Sequence, residues 1–314
     1  MMTDIIVTGA AGMIGTELTN SLLDDGYDVV GVDITENRWD DRVADHTIIA
    51  DLRDPDDLSG LPTDAGMIVH LAANARVHQL VKAPKGARDN FEMTYNALEF
   101  ARENSIDRFL FGSSREVYGN KGKLIYSEKD TYVDECESPY TASKVGGEAM
   151  VKAYERCYGI DAAILRFSNV YGRYDLSDRV LPLFIAQAMI DRDLTVFGGD
   201  KILDFTFIDD CVTGIYRTIT NFHKAQGTTF NIASGTGTSL VELAEAIVSE
   251  LGANSHIHVE SSRTGEIRRY VADIAKAEKV LGYRPEVDFE SGMMRTIEWY
   301  TSDESHLKAI REKV

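Results

Sequence analysis

The chain has 314 residues, of which 44% are apolar, so it can bury one large core or a domain with a smaller lobe attached. Its formal net charge of −18 argues against a nucleic-acid partner, because phosphate recognition depends on clustered Lys and Arg. No apolar run reaches the roughly 20 residues that a bilayer span needs, and no signal peptide precedes the first apolar segment. These features predict a soluble, cytoplasmic protein.

The three cysteines give no sign of a metal or disulfide framework. Cys136, Cys157 and Cys211 lack CxxC spacing, and their odd count leaves one thiol unpaired in any disulfide scheme. We therefore expect reduced thiols in the core and no metal site.

The first half of the chain alternates short β-branched segments with longer helical patterns, which is typical of a parallel sheet covered by helices on both faces. The predicted strands are Ile5 to Thr8, Val29 to Val32, Thr47 to Ala50, Met67 to His70, Arg108 to Gly112 and Ala162 to Arg166. The predicted helices lie near Gly12 to Asp24, Arg88 to Asn104 and Tyr140 to Tyr158. Right-handed crossovers wind these elements into a doubly wound α/β sheet of the Rossmann type.

After Gly172 the pattern breaks into shorter pieces that suggest a second, smaller α/β lobe. The predicted elements there are a helix at Leu181 to Asp191, strands at Thr195 to Phe197 and Phe205 to Phe207, and helices at Gly235 to Leu251 and Asp273 to Leu281. Gly282 is placed to end the last helix. We predict a Rossmann domain made of residues 1–169 and about 205–233, and a substrate lobe made of about 170–204 and 234–314.

A glycine-rich segment, Thr8-Gly9-Ala10-Ala11-Gly12-Met13-Ile14-Gly15, joins the first predicted strand to the first predicted helix. Glycines there allow a tight turn and close approach of a pyrophosphate, whose charge the helix N-terminus receives. Asp33 ends the second strand at about the 20-residue offset of the acid that binds an adenosine ribose. Because its carboxylate accepts hydrogen bonds from ribose hydroxyls and repels a 2′-phosphate, the segment predicts NAD rather than NADP.

Two further segments supply chemistry. Tyr140 and Lys144 lie four residues apart, on one face at the start of a predicted helix. An ammonium beside a phenol lowers its pKa and makes it a proton acceptor for an alcohol. Ser113 and Ser114 follow the fifth strand, at the carboxyl edge where doubly wound sheets bind ligands, so a hydroxyl there can bridge the tyrosine and a substrate oxygen.

The ordered set of motifs resembles the extended short-chain dehydrogenase/reductase family, specifically its nucleotide-sugar epimerases and dehydratases, from Met1 to about Tyr300. The motifs are TGAAGMIG, Asp33, Asp51-Leu52-Arg53, HLAAN at His70 to Asn74, SSREVYG, YTASK and LRFSNVYG. Within that family the chain is most similar to the UDP-glucose 4-epimerases.

The resemblance implies that Ser114, Tyr140 and Lys144 form a catalytic triad, with Tyr140 as the base and Lys144 also holding the nicotinamide ribose. The implied NAD-binding residues are Gly9, Gly12, Met13, Ile14, Gly15, Asp33, Asn37, Asp51, Leu52, Leu71, Ala72, Ala73, Asn90, Tyr140, Lys144 and Phe167. The implied substrate-binding residues are Arg76, Ser114, Glu116, Asn169, Arg173, Leu181, Phe197 and Arg263.

Three of these positions carry specific implied roles. Asn169 falls where the family binds a substrate phosphate, Phe197 where an aromatic ring packs on uracil, and Arg263 where an arginine binds the diphosphate. Many relatives have a second diphosphate arginine where this chain has Leu203. Lys201 or Arg173 is a candidate substitute.

Within this family the sequence favours epimerisation at C4 of a nucleotide-activated sugar, through a transient 4-keto intermediate. The substrate would be UDP-glucose or UDP-galactose, or a UDP-uronate or N-acetyl relative. Related 4,6-dehydratases carry an Asp-Glu pair where this chain has Arg115-Glu116, and a guanidinium cannot act as the acid. UDP-glucuronate decarboxylation and 4,6-dehydration through Glu116 stay open, and Arg115 could pair with a uronate carboxylate.

Other classes are weaker alternatives. A non-catalytic NAD-binding protein would not need Tyr140 and Lys144, and a reductase of small ketones would not need Asn169 and Arg263. Relatives pair the helices corresponding to Arg88 to Asn104 and Tyr140 to Tyr158 into a four-helix bundle, so the resemblance implies a homodimer.

Overall fold

A computed structural model describes residues 3–131 and 133–312 of the chain. Residues 1 and 314, the outer limits of the predicted domains, lie outside the described residues. The strands, in chain order, are β1 (Ile5–Thr8), β2 (Val29–Asp33), β3 (Thr47–Ile49), β4 (Met67–His70), β5 (Arg108–Ser114), β6 (Ile125–Tyr126), β7 (Asp161–Phe167), β8 (Asn169–Tyr171), β9 (Leu194–Phe197), β10 (Ile202–Phe207), β11 (Thr229–Ile232), β12 (Gly237–Ser239), β13 (Ile257–Glu260) and β14 (Arg269–Ala272).

The α-helices, in chain order, are α1 (Met13–Asp24), α2 (Asp41–Asp45), α3 (Val77–Lys82), α4 (Lys85–Glu103), α5 (Pro139–Tyr158), α6 (Val180–Ala188), α7 (Ile208–Thr220), α8 (Phe222–Ala225), α9 (Leu240–Leu251), α10 (Ala275–Leu281), α11 (Phe289–Ser302) and α12 (Glu304–Arg311). Short 3-10 helices lie at Pro55–Gly60, Arg115–Tyr118 and Val133–Glu135.

Seven strands form one parallel sheet in the order β11-β7-β5-β4-β1-β2-β3. β1 pairs in parallel with both β2 and β4, which places Ile5 opposite Val29 and Met67. The strand order reverses between β1 and β4, and this is the point where doubly wound sheets open a crevice at the carboxyl ends of their strands. The predicted Rossmann-type α/β fold is confirmed.

Both faces of this sheet are buried, as the β-branched composition of its strands predicts. Ile5 and Val7 of β1 belong to one apolar cluster together with residues of α1 and α7. Ile6, whose side chain alternates to the opposite face, belongs to a second cluster with residues of α4 and α5. The helix pair α4 and α5 therefore covers one face, and α1 and α7 cover the other.

The remaining strands form two smaller sheets. β12, β10, β14 and β6 are neighbours in that order, β8 pairs with β10, and β13 pairs with β9. Asp204 of β10 is fully buried, and its carboxylate accepts hydrogen bonds from the backbone N–H groups of Ser234, Gly235 and Ala272 at 3.0, 2.9 and 3.2 Å. These bonds tie β10 to β14 and to the loop after β11.

One predicted helix begins in the wrong place. The helix expected from Gly235 instead starts at Leu240, because Gly237–Ser239 forms β12 and pairs antiparallel with β10. Ser239 caps α9: its hydroxyl accepts from the Glu242 N–H, and the Glu242 carboxylate accepts from the Ser239 N–H. The other predicted elements are present with ends shifted by a few residues, and Gly282 ends α10 in the left-handed conformation.

The three thiols differ in their surroundings. Cys211 is buried in α7, Cys136 is partly buried and Cys157 is exposed, and all three are free. The expectation of core thiols is therefore correct only for Cys211. Within residues 3–131 and 133–312, no helix is long and apolar enough to span a bilayer. The same residues contain no group of His, Cys, Asp and Glu side chains arranged to hold a metal ion.

Candidate active site

A cleft of about 880 Å³ opens at the carboxyl ends of β1, β4, β5 and β7. The sheet side contributes the glycine loop, Ser114, Tyr140, Lys144 and Phe167 to its walls. The opposite wall includes Phe197, Lys201 and Arg263. Segments far apart in the sequence therefore meet around one cavity, at the edge of the sheet where the strand order reverses.

The glycine loop has the shape of a phosphate cradle. Gly9 adopts φ +75°, and a Cβ there would lie 2.9 Å from the Ala72 backbone nitrogen. A Cβ on Gly15 would overlap the Gly9 carbonyl oxygen. Gly12 precedes α1 and offers no side chain to cap its first N–H groups. The backbone is thus open to an anionic group at the N-terminus of α1, which fits the pyrophosphate of a dinucleotide.

Asp33 lies where the glycine loop meets the segment after β2. Its carboxylate accepts hydrogen bonds from the Ala11 N–H at 3.0 Å and from the Thr35 N–H at 3.2 Å. Ala11, Thr35 and Arg38 line the cleft. Asp33 itself does not line the cavity, but its hydrogen bonds hold the carboxylate directly beside these lining residues.

Two asparagines expected to contact the cofactor are engaged behind the cleft wall. Asn37 Nδ2 donates to the Ala10 carbonyl at 3.1 Å, and its Oδ1 accepts from the Trp39 N–H at 2.9 Å. Asn90 Oδ1 accepts from the Asn74 N–H at 2.6 Å, and its Nδ2 donates to Asn74 O and Ser143 Oγ, each at 3.2 Å. Both amides thus brace the loops that form the cleft, and their contact with the cofactor stays a prediction.

Three more predicted cofactor residues lie outside the cleft lining. Asp51 forms an ion pair with Arg53, whose hydrogen bonds lower the pKa of that carboxyl. Leu52 is buried in the apolar core. The Ala72 N–H donates to Thr8 Oγ1 at 3.2 Å, while the neighbouring Leu71 and Ala73 do line the cavity.

The predicted catalytic residues come together. Ser114 ends β5, and Tyr140 lies in the first turn of α5, which Ser138 caps by accepting from the Thr141 N–H at 3.1 Å. Tyr140 is buried and hydrogen-bonded to Ser114. One turn further along α5, Lys144 Nζ donates to the Gly112 carbonyl of β5 at 2.7 Å. Contacts between α5 and β5 thus hold the three side chains at the cleft.

The electrostatics of Tyr140 differ from the expectation. The structure raises the pKa of Tyr140, because burial of the phenol outweighs the hydrogen bond with Ser114 and the charges of Arg179 and Arg115. Burial also lowers the pKa of Lys144 to about 8, with Glu148 opposing that change. The prediction that Lys144 brings the phenol below its ordinary pKa is therefore wrong for the protein without cofactor.

A buried charged network lies directly behind the catalytic residues, and sequence reasoning missed it. Glu148 accepts a hydrogen bond from Ser113 Oγ at 2.6 Å and forms a two-point contact with Arg166 at 2.8 and 2.6 Å. Arg166 also donates to the Tyr118 hydroxyl at 3.1 Å. The signal available in the sequence is spacing, because Glu148 follows Lys144 by one helical turn on the same face of α5.

Glu116 and Arg115 follow Ser114 and both line the cleft. Arg115 Nη2 lies 3.0 Å from Glu116 Oε1 and donates to Asn169 Oδ1 at 2.9 Å. Asn169 Nδ2 in turn donates to the Asp204 carbonyl at 2.9 Å. Asn169 lines the cleft, and both ends of its amide are engaged within the protein. Its contact with a substrate phosphate stays a prediction. Burial raises the pKa of the Glu116 carboxyl.

Most of the remaining predicted substrate residues reach the cleft. Leu181 of α6 lines it, and Arg263 stacks over the Phe197 ring at 3.9 Å. Arg76 bridges to Asp178 at 2.9 Å. Lys201, which is buried, lies 2.5 Å from Glu266. Lys201 and Leu203 both line the cavity, and Lys201 stays a candidate for the charge that Leu203 does not supply.

Arg173 lies outside the cleft lining. Its guanidinium pairs with Glu17 of α1 and, at 2.8 Å, with Asp209 of α7. Arg173 therefore ties α1 to α7, and its contact with substrate stays a prediction. Trp39, Tyr174 and Arg179 line the cleft although no motif pointed to them.

Comparisons with known proteins agree with this geometry. Residues 5–233 match the model of the NAD dependent epimerase/dehydratase family. A putative UDP-glucose 4-epimerase of Methanocaldococcus jannaschii is 34% identical, over 94% of this chain and 97% of that protein. The dTDP-glucose 4,6-dehydratase 1 of Escherichia coli is 30% identical, over 95% of this chain and 93% of that protein.

A solved structure extends the similarity to the whole fold. The UDP-glucose 4-epimerase of Thermotoga maritima, crystallised with UDP-glucose, superposes with a TM-score of 0.86 at 26% identity. The match covers 95% of this chain and 99% of the other. With its doubly wound sheet, glycine cradle and Ser114-Tyr140-Lys144 site, this chain belongs to the NAD dependent epimerase/dehydratase family.

Proposed function

We propose that the protein epimerises C4 of a UDP-activated sugar, and that NAD is recycled within each turnover. The observation that carries the proposal is the Ser114-Tyr140-Lys144 site in the cleft. The residue that follows Ser114 there is Arg115. With NAD as the hydride acceptor, the three residues of that site would suffice for reversible oxidation of an alcohol. The adjacent guanidinium cannot donate a proton to expel a hydroxyl group.

The roles follow from the contacts. As its phenolate, Tyr140 would accept the proton of the C4 hydroxyl and return it at the end of the cycle. The positive charges of Lys144 and of oxidised NAD would favour that phenolate once the cofactor is bound. Ser114, hydrogen-bonded to Tyr140, orients the phenol and the sugar oxygen. Lys144 holds the Gly112 carbonyl and presents its positive charge to the site. The 4-keto sugar exposes its other face before reduction, so the alcohol is regained with no net redox change.

The glycine cradle and Asp33 would hold the cofactor. Gly9 and Gly15 leave space that a Cβ would fill, and the Asp33 carboxylate is held beside the glycine loop by the Ala11 N–H, where it would reach a ribose. Bound NAD supplies the acceptor and donor for the C4 hydride.

Dehydration or decarboxylation through Glu116 is a second candidate, and one observation favours it. The Glu116 carboxyl lies in the cleft, and burial raises its pKa, which suits a group that exchanges protons. The similarity to a dTDP-glucose 4,6-dehydratase fits this candidate as well.

Product identification distinguishes the candidates. Purified protein with NAD is incubated with UDP-, GDP- and dTDP-sugars, including uronates and N-acetylated sugars, and the products are examined by NMR and mass spectrometry. We expect a C4 epimer of unchanged mass from a UDP-sugar. A product lighter by one water, or release of CO2 from UDP-glucuronate, would replace our proposal with the second candidate.

We also propose that the enzyme acts as a cytoplasmic homodimer. Phe91 and Tyr95, four residues apart on α4, are 41% and 44% exposed although both are large aromatic residues. They lie on the helix pair that the family resemblance places in a dimer interface. Light scattering should give twice the monomer mass, and Tyr95→Arg should lower it. A monomeric wild type at micromolar concentration would contradict the proposal.

A further inference from the structure

Four aromatic side chains from distant segments meet beside the cleft, and the proposed chemistry uses none of them. The Trp39 ring lies 5.8 Å from Tyr174 and 5.7 Å from Trp299, and the rings of Tyr174 and Trp299 lie 5.9 Å apart, measured between centroids. His306 stacks on Trp299 at 4.0 Å. Aromatic rings at such distances stabilise each other beyond the area that they bury. The cluster therefore joins the segment after β2, the loop after β8 and the helices α11 and α12.

Two members of this cluster face the cavity. Trp39 and Tyr174, the aromatic pair, line the cleft, whereas Trp299 and His306 do not. Trp299 contacts both rings of the pair and so braces them from outside the cavity. Arg38, which also lines the cleft, lies over the Trp39 ring at 4.4 Å. The aromatic pair is thus the part of the cluster that a ligand in the cleft can meet.

Hydrogen bonds tie Trp39 to the glycine loop. The Trp39 N–H donates to Asn37 Oδ1 at 2.9 Å. Asn37 Nδ2 donates to the Ala10 carbonyl of the loop at 3.1 Å and to Thr16 Oγ1 of α1 at 2.8 Å. Trp39 therefore lies at the end of the cleft where the glycine cradle would hold the phosphates of NAD.

Tyr174 belongs to a loop that is fixed on both sides of this residue. The preceding residue, Arg173, donates to Glu17 of α1 at 2.8 Å. The Tyr300 hydroxyl donates to the carbonyl of the following residue, Asp175. Between these anchors Tyr174 adopts φ +67°, a left-handed conformation that is rare for a large side chain. Backbone strain of this kind is concentrated at binding and active sites, and here it accompanies the contact with Trp39.

The aromatic pair connects two parts of the fold that border the cleft. Trp39 follows β2 of the parallel sheet, and Tyr174 follows β8, which pairs with β10 of a smaller sheet. We infer that the aromatic pair retains the cofactor, because the two rings must separate before NAD can leave the glycine cradle. Trp39 and Tyr174 are positioning residues in this role. Slow release suits any reaction in which NAD takes up a hydride and returns it within one turnover.

The test measures how fast radiolabelled NAD leaves the loaded protein during a chase with excess unlabelled NAD. Trp39→Ala and Tyr174→Ala should each raise the release rate at least about fivefold, because either change removes one ring of the pair. The double variant should release NAD about as fast as the faster single variant, since the contact between the rings is already lost. Tyr174→Phe keeps the ring and should keep the wild-type rate.

Tyr158→Ala is the matched control, because it removes a ring from a different aromatic pair, formed with Tyr154 at the far end of α5. The release rate should stay at the wild-type value in this variant. Wild-type rates in both Trp39→Ala and Tyr174→Ala would overturn the inference. Rate increases that multiply in the double variant would also overturn it, because each ring would then act on its own.

Two further measures keep the test decisive. Trp39→Leu and Tyr174→Leu supply apolar bulk without a ring, and they should release NAD as fast as the alanine variants, so the result does not depend on the alanine variants folding. The release rate also does not depend on which sugar is converted. A wild type that retains NAD more firmly than these variants but forms no C4 epimer would support the inference and contradict the proposed function alone.

Discussion

At Tyr140 the proposed chemistry depends on a single oxygen atom. Tyr140→Phe removes the phenolic oxygen and keeps the buried ring, so the fold and the glycine cradle should be preserved. We expect turnover to fall at least about 100-fold, the usual range for loss of a general base, while NAD binding changes little. Steady-state rates and NAD titration measure the two effects.

Tyr158→Phe is the matched control, because Tyr158 lies at the far end of the same helix and is 57% exposed. It should retain wild-type turnover. A Tyr140→Phe variant with near-native rate would rule out Tyr140 as the proton acceptor.

Lys144 makes stability depend on pH in a defined window. Burial lowers its pKa from 10.5 to about 8, so between these values the unfolded chain binds more protons than the folded one. The contribution of Lys144 to the free energy of unfolding therefore rises as the pH increases from about 8 to 10.5. The rise is about 3 kcal/mol at most, given about 1.4 kcal/mol per pKa unit.

Lys144→Met removes the titrating group and isolates this effect from all other groups. Urea denaturation at pH 7.5 and pH 10 should show the wild type gaining about 2 kcal/mol relative to the variant. A difference between the two proteins that is independent of pH would show that the Lys144 pKa is not lowered in the fold.

The sequence predicted the placement of single residues where backbone geometry alone sets it. Gly9 and Gly15 sit in the cradle because no side chain fits there, and Tyr140, Lys144 and Ser114 meet because α5 and β5 present them at one edge. The hydrogen-bond partners of Asn37, Asn90 and Asn169 could not be predicted in the same way. Their amide groups bind partners that only the folded chain brings near, such as Asn169 with Arg115.

The glycine loop, which joins β1 to α1, is the segment that we expect to bind the cofactor phosphates. Gly15→Ala places a Cβ against the Gly9 carbonyl oxygen, so the loop must shift at the point where the cofactor phosphates would lie. We expect a loss of stability of roughly 1–3 kcal/mol and at least tenfold weaker NAD binding, measured by urea denaturation and NAD titration.

Gly60→Ala is the control, because a Cβ at Gly60 meets no atom within 4 Å. Gly60→Ala should change neither the stability nor the NAD affinity appreciably. Unaltered NAD affinity in Gly15→Ala would show that the loop does not cradle the cofactor.

At the level of elements, the strands of the parallel sheet were predictable because burial on both faces leaves an almost unbroken apolar run. The helix expected from Gly235 was misplaced for a different reason. Gly237, Thr238 and Ser239 have no strong apolar pattern, and they become a strand only because β10 lies alongside. Tertiary pairing of this kind is absent from local sequence.

At the scale of the whole molecule, the net charge of −18 implies self-repulsion that salt screens. The Debye length falls from about 10 Å at 0.1 M salt to about 3 Å at 1 M. We expect the Tm to rise between these KCl concentrations, as measured by calorimetry. A matching series in sucrose, which favours compact states without screening, is the control, and a Tm that falls in KCl would contradict the prediction.

The outermost strand of the parallel sheet has a consequence for synthesis of the chain. β11 pairs with β7, but the polypeptide builds β8, β9 and β10 between them. Until Ile232 has left the ribosome, β7 is an open edge whose backbone N–H and C=O groups lack a partner strand. The seven-stranded sheet therefore stays incomplete until β11 has been synthesised. A truncated chain ending near Phe167 should aggregate rather than fold.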